Sequence, residues 1–173
     1  MKAARALAAP AVDDDQLRLA ALFDAHADRL YRLARRLTAS KEDARDRVQE
    51  TFLRAAKSLR AVPLGLHAEE AWLVRVLVNI QRDEWRKGAV RVRAYPAHRT
   101  DAPDIESVLD AKRIVWRTLA ALNPRRRAVI VMRDLEGRPI SEIAQLLGIA
   151  TVTVRWHLSR GRRELRRLLK GDT

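Results

Sequence analysis

The segment SEIAQLLGIATVTVRWHLSRGRREL, residues 141–165, carries two short amphipathic patterns on either side of Gly148. In each pattern the apolar residues recur at a spacing of three to four, as on one face of a helix. Gly148 can adopt a left-handed backbone at little steric cost, and the small side chain of Ala144 lets two helices approach closely. The segment therefore predicts a helix-turn-helix. The residues expected to form its small core are Ile143, Ala144, Leu147, Ile149, Val154 and Leu158.

The second helix of this unit is rich in arginine on the side opposite its apolar residues. Arginine, threonine and serine side chains on such a face can reach base edges and phosphates in a DNA major groove. A solvated basic helix within a bundle is the alternative. DNA reading is favoured, because the turn, the core spacing and the basic face coincide. The predicted DNA-facing residues are Thr151, Thr153, Arg155, Trp156, Ser159, Arg160 and Arg163.

The composition also indicates a polyanionic partner. The chain has 173 residues, with 35 Lys and Arg against 22 Asp and Glu, which gives a net charge of +13. Residues 123–173 hold 12 basic and 5 acidic side chains, which is more than half of the excess. Such charge attracts nucleic acid or an anionic membrane surface. No apolar run approaches the roughly 20 residues that a spanning helix needs, so we expect nucleic acid and no membrane insertion.

The N-terminus bears on the compartment, whereas the absence of cysteine limits only the kinds of site that the chain can form. The N-terminal stretch MKAARALAAPAVDDD is too weakly apolar, and becomes acidic too early, for a secretory signal. Because the sequence contains no cysteine, disulfides and thiolate zinc sites are excluded. We expect a cytoplasmic protein.

The chain divides into two helical blocks. Residues 16–87 show helical periodicity throughout, whereas residues 88–106 contain two Pro residues, scattered charge and no sustained period. Helical patterns resume over residues 107–170. The prediction is an all-α fold of two small helical domains joined by a flexible linker, with residues 1–15 as an N-terminal tail.

Local signals indicate where helices begin and which faces are apolar. Ser40, with Asp43 three residues later, has the spacing of a capping box, and Asn123 followed by Pro124 marks another helix start. The apolar residues of the first two helices are then expected to pack together. They are Leu22, Phe23, Ala27, Leu30, Leu33, Ala34 and Leu37 on the first helix, and Val48, Phe52, Leu53 and Ala56 on the second.

Three motifs follow one another in an order that is typical of one family. They are DARDRVQETFLRA at 43–55, AWLVRVLVNIQRDEWRK at 71–87, and the helix-turn-helix with its TVR and RGR triplets. In this combination the chain resembles bacterial RNA polymerase sigma factors of the extracytoplasmic-function (ECF) group, in the sigma-70 family. The resemblance covers about residues 17–169.

The resemblance implies a polymerase-docking helix. In the family, the helix with the D-A-x-D-x-V-Q-E motif binds the clamp coiled coil of the largest catalytic subunit of RNA polymerase, and the polymerase flap is a further implied contact. The docking residues implied here are Asp43, Asp46, Gln49 and Glu50. Carboxylates on one helical face could also hold a metal ion, but no His lies among them and no second helix offers carboxylates at ligand spacing. An acidic stripe that faces solvent or a partner is favoured.

The resemblance also implies a promoter-melting segment. In the family the third helix faces the upstream edge of the transcription bubble, and the loop before it receives a base flipped from the nontemplate strand. Opening a duplex needs such sites for unstacked bases and phosphates. The implied residues are Val62 in the loop and Asn79, Arg82, Asp83 and Arg86 on the helix; Arg133 joins the residues implied for the upstream element. Trp72, on the apolar face, is expected in the core.

Catalysis has no support in the sequence. There is no G-x-S-x-G motif and no glycine-rich phosphate loop, and the four His residues are scattered without ligand spacing. We therefore expect neither an enzyme nor a cofactor or metal site. The predicted function is an alternative sigma factor, with core polymerase, double-stranded and melted promoter DNA and an anti-sigma factor as partners. Two alternatives are a helix-turn-helix repressor or activator with a helical sensor domain, and a sigma-like decoy that binds a regulator.

Overall fold

The computed structural model describes residues 14–94 and 107–171, and the side chains within 14–88 and 114–170. This part of the chain is helical and contains no strand, which confirms the predicted all-α fold. A short 3-10 turn, Leu59–Ala61, precedes the third helix, and a π-helical turn, Val131–Leu135, follows the fifth. The helices are α1 (Asp14–Leu37), α2 (Lys41–Lys57), α3 (Leu66–Ala94), α4 (Ser107–Ala121), α5 (Pro124–Ile130), α6 (Ile140–Leu147) and α7 (Thr151–Gly171).

Helices α1, α2 and α3 pack against one another in the N-terminal half. The predicted start of α2 is confirmed, because the backbone N–H of Asp43 donates to the Ser40 hydroxyl at 2.9 Å. Leu73 and Leu77 of α3 are fully buried against the apolar faces of α1 and α2. Trp72 is half-buried and packs against the same core, as expected.

Some apolar residues predicted for this core are exposed instead. Phe23 is 50% exposed and Leu53 47% exposed, and Ala56 is also exposed. These residues border an open groove of about 870 Å³ between α1 and α2, in which the rings of Phe23 and Phe52 lie 4.9 Å apart. The prediction was wrong for them because the apolar stripe on each helix is wider than the surface that the neighbouring helices cover.

The C-terminal half forms the predicted helix-turn-helix. Asn123 caps α5 by accepting a hydrogen bond from the N–H of Arg125 at 3.1 Å. Gly148 ends α6 with φ +63°, the left-handed conformation expected for it, and the N–H of Ile149 donates to the carbonyl of Ala144 at 3.0 Å. The predicted core residues of this unit are buried, except that Ile149 is half-buried: Ile143, Ala144, Leu147, Val154 and Leu158.

Helix α3 extends beyond the point where the sequence suggested a linker. It continues to Ala94, past the predicted end at Lys87. Gly88 is the only strong helix breaker in this stretch, and one glycine in a helix costs only about 1 kcal/mol relative to alanine. Residues 95–106, the rest of the predicted linker, lie outside the described residues, as does most of the predicted N-terminal tail.

The two halves pack directly on each other, with α3 against α5 and α6. Arg138, just before α6, is 11% exposed and contacts three carboxylates, at 3.2 Å in Glu70, 3.0 Å in Glu136 and 2.6 Å in Glu142. Burial alone would lower the pKa of the Arg138 guanidinium, but the charge of Glu70 and the bonds to the other two carboxylates raise this pKa above its ordinary value. Since Glu70 belongs to α3, this network joins the halves.

A second arginine at the boundary is buried, and no carboxylate of the described residues pairs with it. Arg127 of α5 is 7% exposed, and its guanidinium donates to the carbonyl of Thr38 at 3.4 Å, while its Nε has no hydrogen-bond partner. Burial lowers the pKa of Arg127 to about 10. A buried charge that is poorly compensated opposes the packing around it. The contact between the halves therefore combines a stabilising network at Arg138 with an unfavourable site at Arg127.

Candidate nucleic-acid interface

The outward face of α7 collects most of the predicted DNA-facing residues. Val154 and Leu158 are buried against α5 and α6, so the opposite side of the helix faces solvent. Thr151 is exposed at the start of the helix, and Thr153 is half-buried. Within the described residues, no carboxylate pairs with the arginines of this face. The exposed residues of the face are Arg155, Trp156, Ser159, Arg160 and Arg163.

Trp156 lies near the middle of this face and is 49% exposed. The guanidinium carbon of Arg160 lies over its ring, 5.7 Å from the ring centroid, and that of Arg126 lies 5.6 Å away. The ring of His157 meets it edge-on at 5.0 Å. Burial, followed by the charge of nearby arginines, lowers the pKa of His157, so this neighbour is held in the neutral form more readily.

Arg133 belongs to the π-helical turn and not to α7. It is half-buried in the π-helical turn, and its guanidinium donates to the carbonyl of Arg138 at 2.9 Å. This bond helps to hold the turn that leads into α6. The DNA-binding role implied for Arg133 stays a prediction, and the structure gives the side chain a local structural contact.

The residues implied for promoter melting share one face of α3. Their spacing of three and four places Asn79, Arg82, Asp83 and Arg86 along one side of the helix. Arg82 and Asp83 form a loose ion pair at 3.8 Å, and the Nε of Arg82 is buried without a hydrogen-bond partner. Arg86 is exposed and can therefore offer guanidinium donors to phosphates. The role of this face stays a prediction.

The acidic stripe of α2 lies between the groove on one flank of the helix and a cavity on the other. Asp46 and Gln49 are exposed, and Gln49 lines the groove between α1 and α2. Glu50 pairs with Arg54 at 2.8 Å, and this hydrogen bond lowers the pKa of the Glu50 carboxyl. Asp43 is at the i, i+3 and i+7 spacing with Asp46 and Glu50, and it also lines a smaller cavity between the halves. The three carboxylates therefore share one side of α2, and Gln49 lies at the edge of that side, toward the groove.

Comparison with known proteins identifies the family to which this chain belongs. Residues 22–91 match the family model for sigma-70 region 2, and residues 112–165 match that for sigma-70 region 4. The chain is 31% identical over 163 residues to the ECF RNA polymerase sigma factor SigM of Mycobacterium tuberculosis, covering 94% of this chain and 83% of SigM. The chain belongs to the ECF group of RNA polymerase sigma factors. Sigma factors of this group direct transcription initiation and are not enzymes.

Two further relatives extend the comparison of this sigma factor. It is 37% identical over 149 residues to the ECF sigma factor SigE of Mycolicibacterium smegmatis, covering 82% of this chain but only 57% of SigE. The solved structure of the sigma factor RpoE in complex with the anti-sigma factor NepR from Bartonella quintana covers 91% of this chain, with a TM-score of 0.58 and 24% identity. That likeness supports the helical fold.

One predicted site residue of the sigma factor is not accessible. Val62 is 2% exposed and packs in the core, while its carbonyl accepts a hydrogen bond from Arg18 at 2.6 Å. The side chain therefore cannot form a wall of a base pocket in this arrangement, which corrects the prediction. Other apolar side chains are exposed nearby, namely Leu64 in the loop at 79% and Leu66 at the start of α3 at 69%.

Sequence reasoning missed Arg126, which belongs to α5 and yet contributes to the α7 face. Its guanidinium bonds Glu164 at 2.7 Å and approaches Trp156. No spacing rule connects these residues, because α5 and α7 are separated by a further helix along the chain. Across the described residues, no cluster of three or more potential metal ligands occurs, and no helix there is long and apolar enough to cross a membrane.

Proposed function

We propose that this sigma factor is an alternative, dissociable initiation subunit that binds core RNA polymerase and directs it to specific promoters. It acts in the cytoplasm by binding, without catalysis of its own. The observation that carries the proposal is the arginine face of α7, which has no carboxylate partner within the described residues and stands on a well-formed helix-turn-helix. An open apolar groove beside a predicted docking stripe occurs on the same chain.

Promoter reading is assigned to two surfaces. The exposed face of α7 enters the major groove of the upstream, minus-thirty-five element, where Arg155 and Arg160 supply hydrogen-bond donors to bases and phosphates. The outward face of α3 contacts the melted minus-ten region, where Arg82 and Arg86 follow the phosphates of a single strand. The α7 face supplies hydrogen-bond donors to the base edges of the upstream element. The α3 face supplies cationic contacts to the phosphates of the melted minus-ten region.

Polymerase binding is assigned to α2 and the groove beside it. Phe23 and Leu53 are large apolar side chains that α1 and α2 leave half-exposed. A helical partner such as the clamp coiled coil can place apolar side chains in such a groove. Asp46 and Glu50 on the adjoining face then supply charge complementarity to a basic partner. The helix-turn-helix domain would contact the polymerase flap.

The packing of the two halves supports the prediction that the free protein binds DNA weakly. Helix α6 lies beside the N-terminal part of α3, where the guanidinium of Arg75 contacts the carbonyl of Gln145 at 3.4 Å. This packed arrangement would have to open before the two halves could adjust independently to two promoter elements. An anti-sigma factor could stabilise such an arrangement, as a partner of the kind bound to RpoE. Free protein should bind DNA without sequence preference and with steep salt dependence.

Run-off transcription with core polymerase and a promoter library tests promoter reading. We expect promoter-dependent transcripts, and a loss of about 1 to 3 kcal/mol in binding at the upstream element for Arg155→Ala and for Arg160→Ala. Arg162→Ala is the matched control, because Arg162 belongs to α7 but bonds Asp134. Upstream footprints that are unchanged in both test variants would contradict the assignment.

Co-purification with core polymerase tests the docking surface. Reversing charge with Asp46→Lys and Glu50→Lys together should abolish association, and Leu53→Ser should weaken it by removing an exposed apolar contact. A matched control reverses two exposed carboxylates elsewhere, with Asp14→Lys and Asp15→Lys in the first turn of α1. Recovery of polymerase at wild-type levels by the α2 variants, with helical circular dichroism intact, would refute this assignment.

A further inference from the structure

Trp156 offers a chemistry that the surrounding arginines do not. On the exposed face of α7 it is the large apolar side chain near the centre, and about half of its surface remains accessible at 49%. In the major groove the bases are stacked, so a side chain meets their edges and not their faces. The apolar group that a base edge presents there is the C5-methyl group of thymine. Methylation of cytosine places the same group at the same edge.

The indole ring is held in position by its neighbours. Arg126 and Arg160 place their guanidinium groups over the ring at 5.6 and 5.7 Å, within the range of a cation–π interaction. Arg126 is itself fixed by Glu164, whose carboxylate lies 2.7 Å from the guanidinium. A ring restrained in this way loses little side-chain freedom on binding DNA, which favours selective contact.

Glu164 further supports this arrangement. It is the single acidic residue of α7, on a helix that otherwise carries six arginines and one lysine. A carboxylate beside a DNA-binding face repels phosphates, so its presence there carries an electrostatic cost. The contact with Arg126 explains why a carboxylate occurs at this position, since the bond orients the guanidinium that lies over the ring of Trp156.

We propose that Trp156 reads the C5-methyl group of one pyrimidine in the upstream promoter element, with Arg126 and Glu164 as positioning residues. This inference rests on the proposed function, because it requires α7 to enter the major groove as part of the polymerase complex. It adds a specific base determinant, a 5-methylpyrimidine, to what the arginines alone would select. Arg126, which belongs to α5, thereby takes part in base selection without touching a base.

The test uses the polymerase complex on its best promoter from the library. Each thymine of the upstream element is replaced in turn by deoxyuridine, which removes the methyl group and leaves every donor and acceptor in place. At one position we expect wild-type binding to weaken about four-fold, the factor that corresponds to one buried CH₂-sized group. Replacing that base by cytosine and then by 5-methylcytosine distinguishes the two sources of the methyl group, and the methylated base should restore part of the affinity.

Variants then assign the effect to the side chain. Trp156→Ser should bind thymine and deoxyuridine promoters equally, and Trp156→Phe should keep part of the difference. Arg126→Ala should reduce the difference, because the ring loses one of the groups that position it. Arg162→Ala, on the same helix but bonded to Asp134, should keep the full difference.

Three outcomes would overturn the inference. The first is a wild-type complex that shows no methyl dependence at any thymine. The second is an undiminished dependence in Trp156→Ser. The third is a change in affinity only when a purine N7 is removed, which would assign the contact to the indole N–H, a hydrogen-bond donor. Absence of any promoter-dependent transcript would instead overturn the proposed function as well, so the two failures are distinguishable.

Discussion

Replacing Glu70 by glutamine should loosen the packing between the two halves of the sigma factor. The Glu70 side chain is 10% exposed and contacts Arg29 of its own half at 2.8 Å and Arg138 of the other half at 3.2 Å. The amide is the same size as the carboxylate but carries no charge. The substitution therefore removes charge-assisted bonds without creating a cavity.

The expected loss of packing free energy in Glu70→Gln follows from the ion pairs that Arg138 and Arg29 keep. Arg138 keeps Glu136 and Glu142, and Arg29 keeps a distant contact to Glu142 at 3.8 Å. The Glu70–Arg29 bond lies within one half, so its loss affects packed and separated molecules alike, and only the Glu70–Arg138 bond changes their ratio. A hydrogen bond to a charged group contributes about 2 kcal/mol. Since about 1.4 kcal/mol is a factor of ten, the ratio of separated to packed molecules should rise about 30-fold.

Intramolecular energy transfer measures this ratio. The sequence contains no cysteine, so Lys57→Cys and Arg166→Cys provide two unique dye positions, one in each half. We expect lower transfer efficiency in Glu70→Gln than in the parent chain, with a further fall as salt is raised to about 0.5 M, because salt screens the remaining pairs. Asp134→Asn is the control, since Asp134 bonds Arg162 within the C-terminal half. Equal transfer in all three chains at every salt concentration would refute the reasoning.

Three local features also lead to measurable effects on the free energy of unfolding. Gly148→Ala should lower it by about 1 to 2 kcal/mol in urea titrations, because the left-handed backbone at φ +63° disfavours a Cβ atom, which would also lie 3.1 Å from Arg75; an unchanged midpoint would contradict this. Ser40→Ala should cost about 1 kcal/mol by removing the N-cap of α2, whereas Ser40→Asp, which retains a capping oxygen, should cost less. Burial lowers the pKa of His157 from its usual 6.5, so the unfolded state binds a proton more readily than the folded state. The free energy of unfolding should therefore fall as the pH drops through 6.5 toward the lowered pKa. In thermal melts, His157→Gln should remove this contribution to the pH dependence of stability.

Several features of the sigma factor follow from short stretches of its sequence. The caps at Ser40 and Asn123 and the turn at Gly148 depend on a few neighbouring residues, and the structure has each as predicted. The buried and exposed sides of α7 follow from helical spacing alone. These features are local, because hydrogen bonds within a helix and at its ends join residues only three or four positions apart. The end of α3 was misjudged because single residues such as Gly88 break a helix only weakly.

The tertiary structure decided how these elements are used. Periodicity identifies the apolar side of a helix but not how much of that side its neighbours cover, so the exposure of Phe23 and the burial of Val62 were not predictable. The Arg138–Glu70 contact joins residues 68 positions apart, and Arg126 and Glu164 are 38 positions apart. Such pairs form because helix packing brings distant side chains together, and no spacing along the chain encodes which of many arginines will meet a given carboxylate or ring.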